Sequence, residues 1–254
     1  MLSKVHLPCS AAEAADLLRG GGWLVGGGTV VMPKVNTGAV PVDDLISLRH
    51  AGLGGIRIEQ DTVRIGAATT LVEVGDHDGL GFLEPVIRSI ASPPVRNLAT
   101  VGGNLLVPQP HGDLAVALLA LDARVDVVSA DSTRTVSVCD PVHADEVITE
   151  VRFALPKGTW RYRKAMRRKH NSASIVTVAA VVGDEVRIAL GGVAPRPIRA
   201  HAAERILETT PGAVTEAAEA AREGIQPFDD AYASAWYRTR VLPVHVRRAL
   251  LGTD

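Results

Sequence analysis

Hydrophobic and polar positions change period several times along this chain, and each change predicts an element. In "SAAEAADLLR", Ser10 and Glu13 form a capping-box pattern that opens a helix running to about Arg19. "GGWLV" gives a short strand from Trp23 that runs into Gly26-Gly27-Gly28-Thr29. A helix over roughly 30–36 follows, with Pro33 acceptable in a first turn. "IRIEQDTVRIGA" alternates on both sides of Gln60-Asp61 and reads as a hairpin. Helices are expected after Thr69-Thr70 and through "EPVIRSIA". Next, "LATVGGNLLVPQPHGDLAVALLALDA" joins a small-residue turn to an almost wholly apolar helix, for which Asp113 is the expected N-cap. "RVDVVSADSTRTVSV", from Arg124, is a second hairpin pattern.

Pro156-Lys157-Gly158 reads as a boundary that divides the chain into residues 1–156 and 157–254. Beyond it come three strands, "WRYRKAMRRK", "SASIVTVAAVV" and "EVRIALGGVAP", and then helices over 202–208, 212–223 and 233–250. The fold class expected is α+β: mixed sheets first, then a three-stranded antiparallel sheet with a helix bundle on one side.

Composition narrows the function. The chain has 254 residues, 46% of them hydrophobic, and a formal net charge of −1, which suits a folded protein and argues against a nucleic-acid or membrane-surface binder. No uninterrupted apolar run is long enough to span a bilayer, and the N-terminus does not read as a signal peptide. Two cysteines, Cys9 and Cys139, are too few for a disulfide framework or for a 2Fe–2S cluster, which takes four ligands. They read as reduced thiols of a cytoplasmic protein.

The candidate chemistry sits in two glycine turns. Gly26-Gly27-Gly28-Thr29 lies between a strand and a helix, where glycines allow positive φ and close backbone approach, and free N–H groups favour anions. It matches neither Walker A, which needs Gly-Lys-Ser/Thr, nor the dinucleotide fingerprint, whose last glycine is replaced by Val31. Thr100-Val101-Gly102-Gly103-Asn104 is a second uncharged turn. Two such turns can grip a pyrophosphate from both sides through N–H donors, and Asp113 nearby suits ribose or ribityl hydroxyls.

"VGGGT", "RNLATVGGN", "HGDLAVALLALDA", "VRIGAATTLVEV" and "RIALGGVAPRPIRA" occur in the same order and cover nearly the whole chain. Together they resemble the FAD-binding medium subunit of molybdenum hydroxylases, as in carbon monoxide dehydrogenase and the flavin domain of xanthine dehydrogenases. The resemblance implies a two-part PCMH-type FAD-binding domain followed by the flavoprotein C-terminal domain. It also implies a first pyrophosphate loop of Gly26, Gly27, Gly28, Thr29 and Val30, led in by Val25. The second loop is Ala99, Thr100, Gly102, Gly103 and Asn104. Asp113 matches an aspartate that contacts FAD, and Ile90, Ile148 and Lys164 match positions beside the flavin ring. FAD is expected to be non-covalent, since no histidine or cysteine lies in the first loop. A small 2Fe–2S subunit and a large molybdopterin subunit are the implied partners, with electrons passing through FAD to NAD, oxygen or a quinone. A stand-alone flavin oxidoreductase and a flavin-free assembly subunit are the alternatives.

Three features depart from the family pattern. Val30 stands where relatives commonly carry Asp or Glu, "CDPVHADE" replaces an aromatic-glycine segment, and Pro93-Pro94 replaces polar residues. The basic run Arg161, Arg163, Lys164, Arg167, Arg168, Lys169 reads as a solvated strand edge or partner-facing surface, with Lys164 reaching the flavin. His111 reads as a solvated loop histidine. No spacing fits a metal site, and no side chain is required as a general acid or base.

Overall fold

The computed structural model describes residues 2–39, 43–168 and 172–253. Lys169, the last residue of the basic run, lies outside them. The chain begins with β1 (Lys4–His6), α1 (Ala11–Arg19), β2 (Trp23–Val25), α2 (Val31–Asn36) and β3 (Asp44–Ser47). These strands form a parallel sheet in the order β1-β3-β2. Ser10 caps α1 by accepting from the Glu13 N–H, while the Glu13 carboxylate accepts from the N–H of Cys9, one residue earlier than a standard capping box. The first glycine turn leaves the carboxyl end of β2, where ligands gather in parallel sheets.

The hairpin β4 (Ile56–Glu59) and β5 (Thr62–Gly66) forms as the alternation predicts. Short helices follow: α3 (Leu71–Gly75), α4 (Glu84–Ser89), α5 (Pro93–Arg96) and α6 (Val101–Leu105). Then come α7 (Asp113–Ala120), the hairpin β6 (Arg124–Val128) and β7 (Thr133–Ser137), and β8 (Val147–Ala154). The second sheet runs β4-β5-β8-β6-β7, antiparallel throughout. The mixed character expected of this half therefore comes from two separate sheets, one parallel and one antiparallel. Neither β1, β3 nor β8 was evident from the pattern. The first two are only three and four residues long, too short to show alternation.

After β9 (Gly158–Met166), β10 (Ser174–Gly183) and β11 (Val186–Gly191), a two-residue β12 (Ile198–Arg199) adds a fourth strand to the antiparallel sheet. The helices α8 (His201–Thr209), α9 (Val214–Ala220) and α10 (Ala235–Leu251) pack on one face of it. The other face is covered by α7. Val116, Leu119 and Ala120 meet Ala179 and Ala189 there, while Leu114, Ala117 and Leu118 belong to the core of the first half. Every residue of α7 is buried, which is why it carries no polar stripe. Sandwiching likewise makes the first eight residues of β10 buried, the signature of a strand covered on both faces.

Candidate functional site

The two glycine turns touch. A Cβ built on Gly27 would stand 1.6 Å from the carbonyl oxygen of Leu98, and one on Gly26 would stand 2.5 Å from Thr100 Oγ1. At Gly27 backbone packs on backbone, so only glycine fits there. Gly28 has φ +71°, a left-handed conformation that glycine adopts without cost. Among the described residues, no hydrogen bond engages the backbone N–H groups of Gly26 through Val30. The first turn thus presents a run of open donors at a half-exposed site, suited to an anion.

The second turn is built differently from the expectation. Val101 N–H donates to Thr69 O, Gly102 N–H to Ala67 O, and Gly103 N–H to Thr100 Oγ1, which caps α6. Two of these donors dock the turn to the 67–70 segment and the third is spent on the Thr100 cap, so the grip through N–H groups from both sides is corrected to one side. Gly103 also has no positive φ and sits in α6. What the second turn offers is side chains. Asn104 is 7% exposed, and its Oδ1 is buried with no hydrogen-bond partner. Such an atom costs free energy unless something donates to it. Open donors on one turn and an orphaned acceptor on the other fit the diphosphate and hydroxyls of FAD.

Asp113 is not an N-cap. Gly112 holds that position, and no side chain caps α7. The carboxylate instead points into the C-terminal sheet. Its Oδ1 accepts from Ser174 Oγ at 2.5 Å and Thr177 Oγ1 at 2.7 Å, and its Oδ2 accepts from Lys164 Nζ at 2.7 Å. Lys164 also donates to the carbonyl of Ser89 at the end of α4. The side chains of Asp113 and Lys164 are only 3% and 4% exposed, so this is a buried ion pair held in place by hydrogen bonds. Three of roughly four acceptor positions on the carboxylate are taken. Gly112 adjoins Asn104 in space, so the pair lies beside the second turn.

Ser89, Tyr162, Ser174 and Thr177 complete the network and were not singled out in the sequence. Tyr162 and Ser89 hydroxyls are 2.8 Å apart, and Ser89 donates to Val86 O. Burial first, and then the Asp113 charge, push the Tyr162 phenol well above its ordinary range, against the Ser89 hydrogen bond. Tyr162 lies two residues before Lys164, so strand alternation puts both on one face of β9 and was the available signal. Ser174 and Thr177 are three apart and share a face only because β10 shifts register between Ser174 and Val176. Arg238, fully buried, supports that irregular end. It donates to the carbonyls of Ile175 and Gly192, pairs with Asp230 at 2.6 Å and stacks on Phe228.

Ile90, directly after α4, is 6% exposed in the apolar core of the first half, and its carbonyl accepts from Arg96. Ile148 is buried in that same core on β8, where its side chain packs. Val25, Thr29 and Val30 frame the first turn, and Val30 is 41% exposed. His111 stacks edge-on against Tyr232 rather than pairing with Asp113. The basic run is not simply solvated: Lys164 is buried, Arg163 donates to the Thr253 carbonyl and Arg167 to that of Ala231. "CDPVHADE" is a tight connection in which Glu146 takes two hydrogen bonds from Arg134 and one from the His143 N–H. Those donors, the Arg134 side chain first, lower the Glu146 pKa to about 2 despite burial.

Two family models match: the FAD binding domain in molybdopterin dehydrogenase over residues 2–153, and the CO dehydrogenase flavoprotein C-terminal domain over residues 160–253. The chain is 28% identical to the nicotine 6-hydroxylase medium subunit of Paenarthrobacter nicotinovorans, over 96% of this chain and 94% of that one. It is 31% identical to the carbon monoxide dehydrogenase medium chain of Hydrogenophaga pseudoflava, with the same coverage. A solved structure of the Hydrogenophaga pseudoflava carbon monoxide dehydrogenase superposes with a TM-score of 0.90 over 99% of this chain and 96% of that chain, at 31% identity. Sequence, fold and turn geometry agree: the chain belongs to the FAD-binding medium subunits of the molybdenum hydroxylases, a family of oxidoreductase subunits.

Proposed function

We propose that this chain is the electron-transfer subunit of a molybdenum hydroxylase-type dehydrogenase. It would be fed from 2Fe–2S clusters on a small partner and a molybdopterin centre on a large one, and would pass electrons on to NAD, oxygen or a quinone. The division into residues 1–156 and 157–254 and the non-covalent attachment of FAD belong to the same reading. The observation that carries it is the pair of touching turns, one with open N–H donors and one with the orphaned Asn104 Oδ1. FAD, when bound, supplies the redox chemistry, and the protein supplies position and electrostatics. Gly26 through Val30 would hold the diphosphate by backbone donors, and Thr100 and Asn104 would orient it from the other side. Asp113 and Lys164 fix the junction between the two halves, with Ile90 and Ile148 as apolar backing in the core. The partner assignment is supported by the relatives named medium subunit or medium chain, and by this chain's two cysteines, which cannot ligate a 2Fe–2S cluster.

The test is anaerobic. Organic substrate is mixed with this subunit alone, then with its small and large partners, while oxidised-flavin absorbance is followed. Bleaching only in the full mixture is expected. Bleaching by an organic substrate with this chain alone overturns the subunit assignment in favour of a stand-alone oxidoreductase. Failure of the purified chain to retain any flavin favours the assembly role.

A further inference from the structure

The last helix, α10, has two faces of different character. Arg238, Leu242, Val246 and Ala249 are buried in the C-terminal half. On the other side Trp236, Arg240, Val244, Arg247 and Leu251 recur at spacings of four, four, three and four residues, and so fall along one line of the helix. All five are exposed, and Trp236 is 68% exposed although tryptophan is a mostly buried residue type. The Arg240 guanidinium lies over the Trp236 indole, 5.6 Å from its centre, and steadies the ring in the open. No carboxylate occurs in α10, and none pairs with Arg240 or Arg247 among the described residues.

We propose that this line of α10 is the docking face for a partner subunit, met there by a helix that carries carboxylates between apolar side chains. The inference rests on the subunit reading, since it takes the occupant from the same complex. Spacings of three and four make a ridge that packs into the groove of a facing helix. Tryptophan and arginine are the side chains that most often anchor such contacts, and Trp236 gains most from leaving water. Arg240 and Arg247 set the partner's charge: facing carboxylates give charge-assisted hydrogen bonds that steer and align the approach. A second copy meeting the first through this same face would set arginine against arginine, so charge disfavours it. A lipid surface fits poorly as well. Helices that lie in an interface keep their cations on the polar face, apart from the apolar one. Here Arg240 and Arg247 stand in one line with Val244 and Leu251, so lipid covering the apolar groups would bury the guanidinium groups too.

The experiment uses the full-length, FAD-loaded chain. Its large and small partner subunits are titrated by sedimentation velocity, singly and together, and amide exchange over residues 236–251 is compared between free chain and complex. Slower exchange along α10 is expected in the complex, and the subunit that produces it is the occupant. The double change Arg240→Glu with Arg247→Glu should weaken assembly about a hundredfold or more, the order expected for two lost charge-assisted contacts. Trp236→Ala should weaken it about tenfold or more. All three side chains are exposed, so both variants should keep the thermal midpoint and FAD content of the unaltered chain. Absence of assembly by the unaltered chain overturns the subunit reading and this inference with it. If the unaltered chain assembles, then equal assembly by both variants, or unchanged exchange along α10, overturns the inference alone. So does a role of these residues elsewhere with assembly unaffected: loss of self-association in Trp236→Ala, or loss of binding to phosphatidylserine vesicles in the double variant.

Discussion

A Cβ on Gly27 would stand 1.6 Å from Leu98 O, whereas one on Gly103 would meet only Thr100 Oγ1, at 3.0 Å. The two glycines therefore serve different ends. Gly27→Ala must push two backbones apart, so it is expected to cost about 3 kcal/mol or more and to lose FAD together with stability in a urea melt. Gly103→Val should fold, since a Cβ there meets only Thr100 Oγ1, and yet lose FAD if the second turn holds it as proposed. Gly192→Val is the control: φ is +76° and the added carbon would stand 2.5 Å from Ile175 O, so folding suffers before flavin affinity. Stoichiometric FAD in Gly103→Val would remove the second turn from the site. The buried pair offers another test. Lys164→Met leaves the Asp113 charge unpaired and is expected to cost about 3–5 kcal/mol. Adding Asp113→Asn should recover part of that loss, because the two changes share one interaction. Strictly additive denaturation energies would contradict the coupling.

At the scale of elements, the connection from β7 to β8 depends on Glu146, which ties Arg134 to the His143 N–H. Its pKa is lowered from 4.5 to about 2. A depressed carboxylate contributes stability that is fully present above its unfolded value and is lost as pH falls through its folded one. The window is therefore pH 4.5 down to about 2. Glu146→Gln should cost about 1–3 kcal/mol at neutral pH, as a charged hydrogen-bond acceptor is lost, and should flatten the acid limb of a stability–pH profile in that window. An unchanged acid limb would mean that the ion pair does not hold this connection in solution. Arg96 has a comparable place at the end of α4, where it donates to the carbonyls of Ile90 and Ala91 and steadies the turn behind Ser89.

At the scale of the whole molecule, α7 joins the two halves. One side of it belongs to the core around β5 and β8, and the other to the sheet of β10 and β11. Because one helix is shared by both cores, thermal unfolding of the apo chain is expected as one cooperative transition, with calorimetric and van't Hoff enthalpies agreeing. Two resolved peaks would show that the halves melt independently. The first turn carries Thr29 and no histidine or cysteine. Acid precipitation should accordingly release all FAD to the supernatant, and a yellow pellet would contradict non-covalent binding.

Much of this was legible in order along the chain, because local signals survive folding. The capped helix at Ser10, the hairpin at Gln60-Asp61, the three long C-terminal strands and the apolar α7 all carry their period in adjacent residues. The glycine turns were legible as turns. The short strands β1, β3 and β12 were not, since two to four residues hold no periodicity and pair only once a neighbour is in place. Asp113 looked like a cap because caps are read from sequence position, but its partners Lys164, Ser174 and Thr177 lie 51 to 64 residues away. The spent donors of the second turn depend on a segment some thirty residues earlier. The sequence by itself determined the longer elements, their order and the places of the two glycine turns. Only the tertiary structure decided which donors stay open and which charges are buried together, because those depend on contacts between residues far apart in the chain, and no local pattern encodes them.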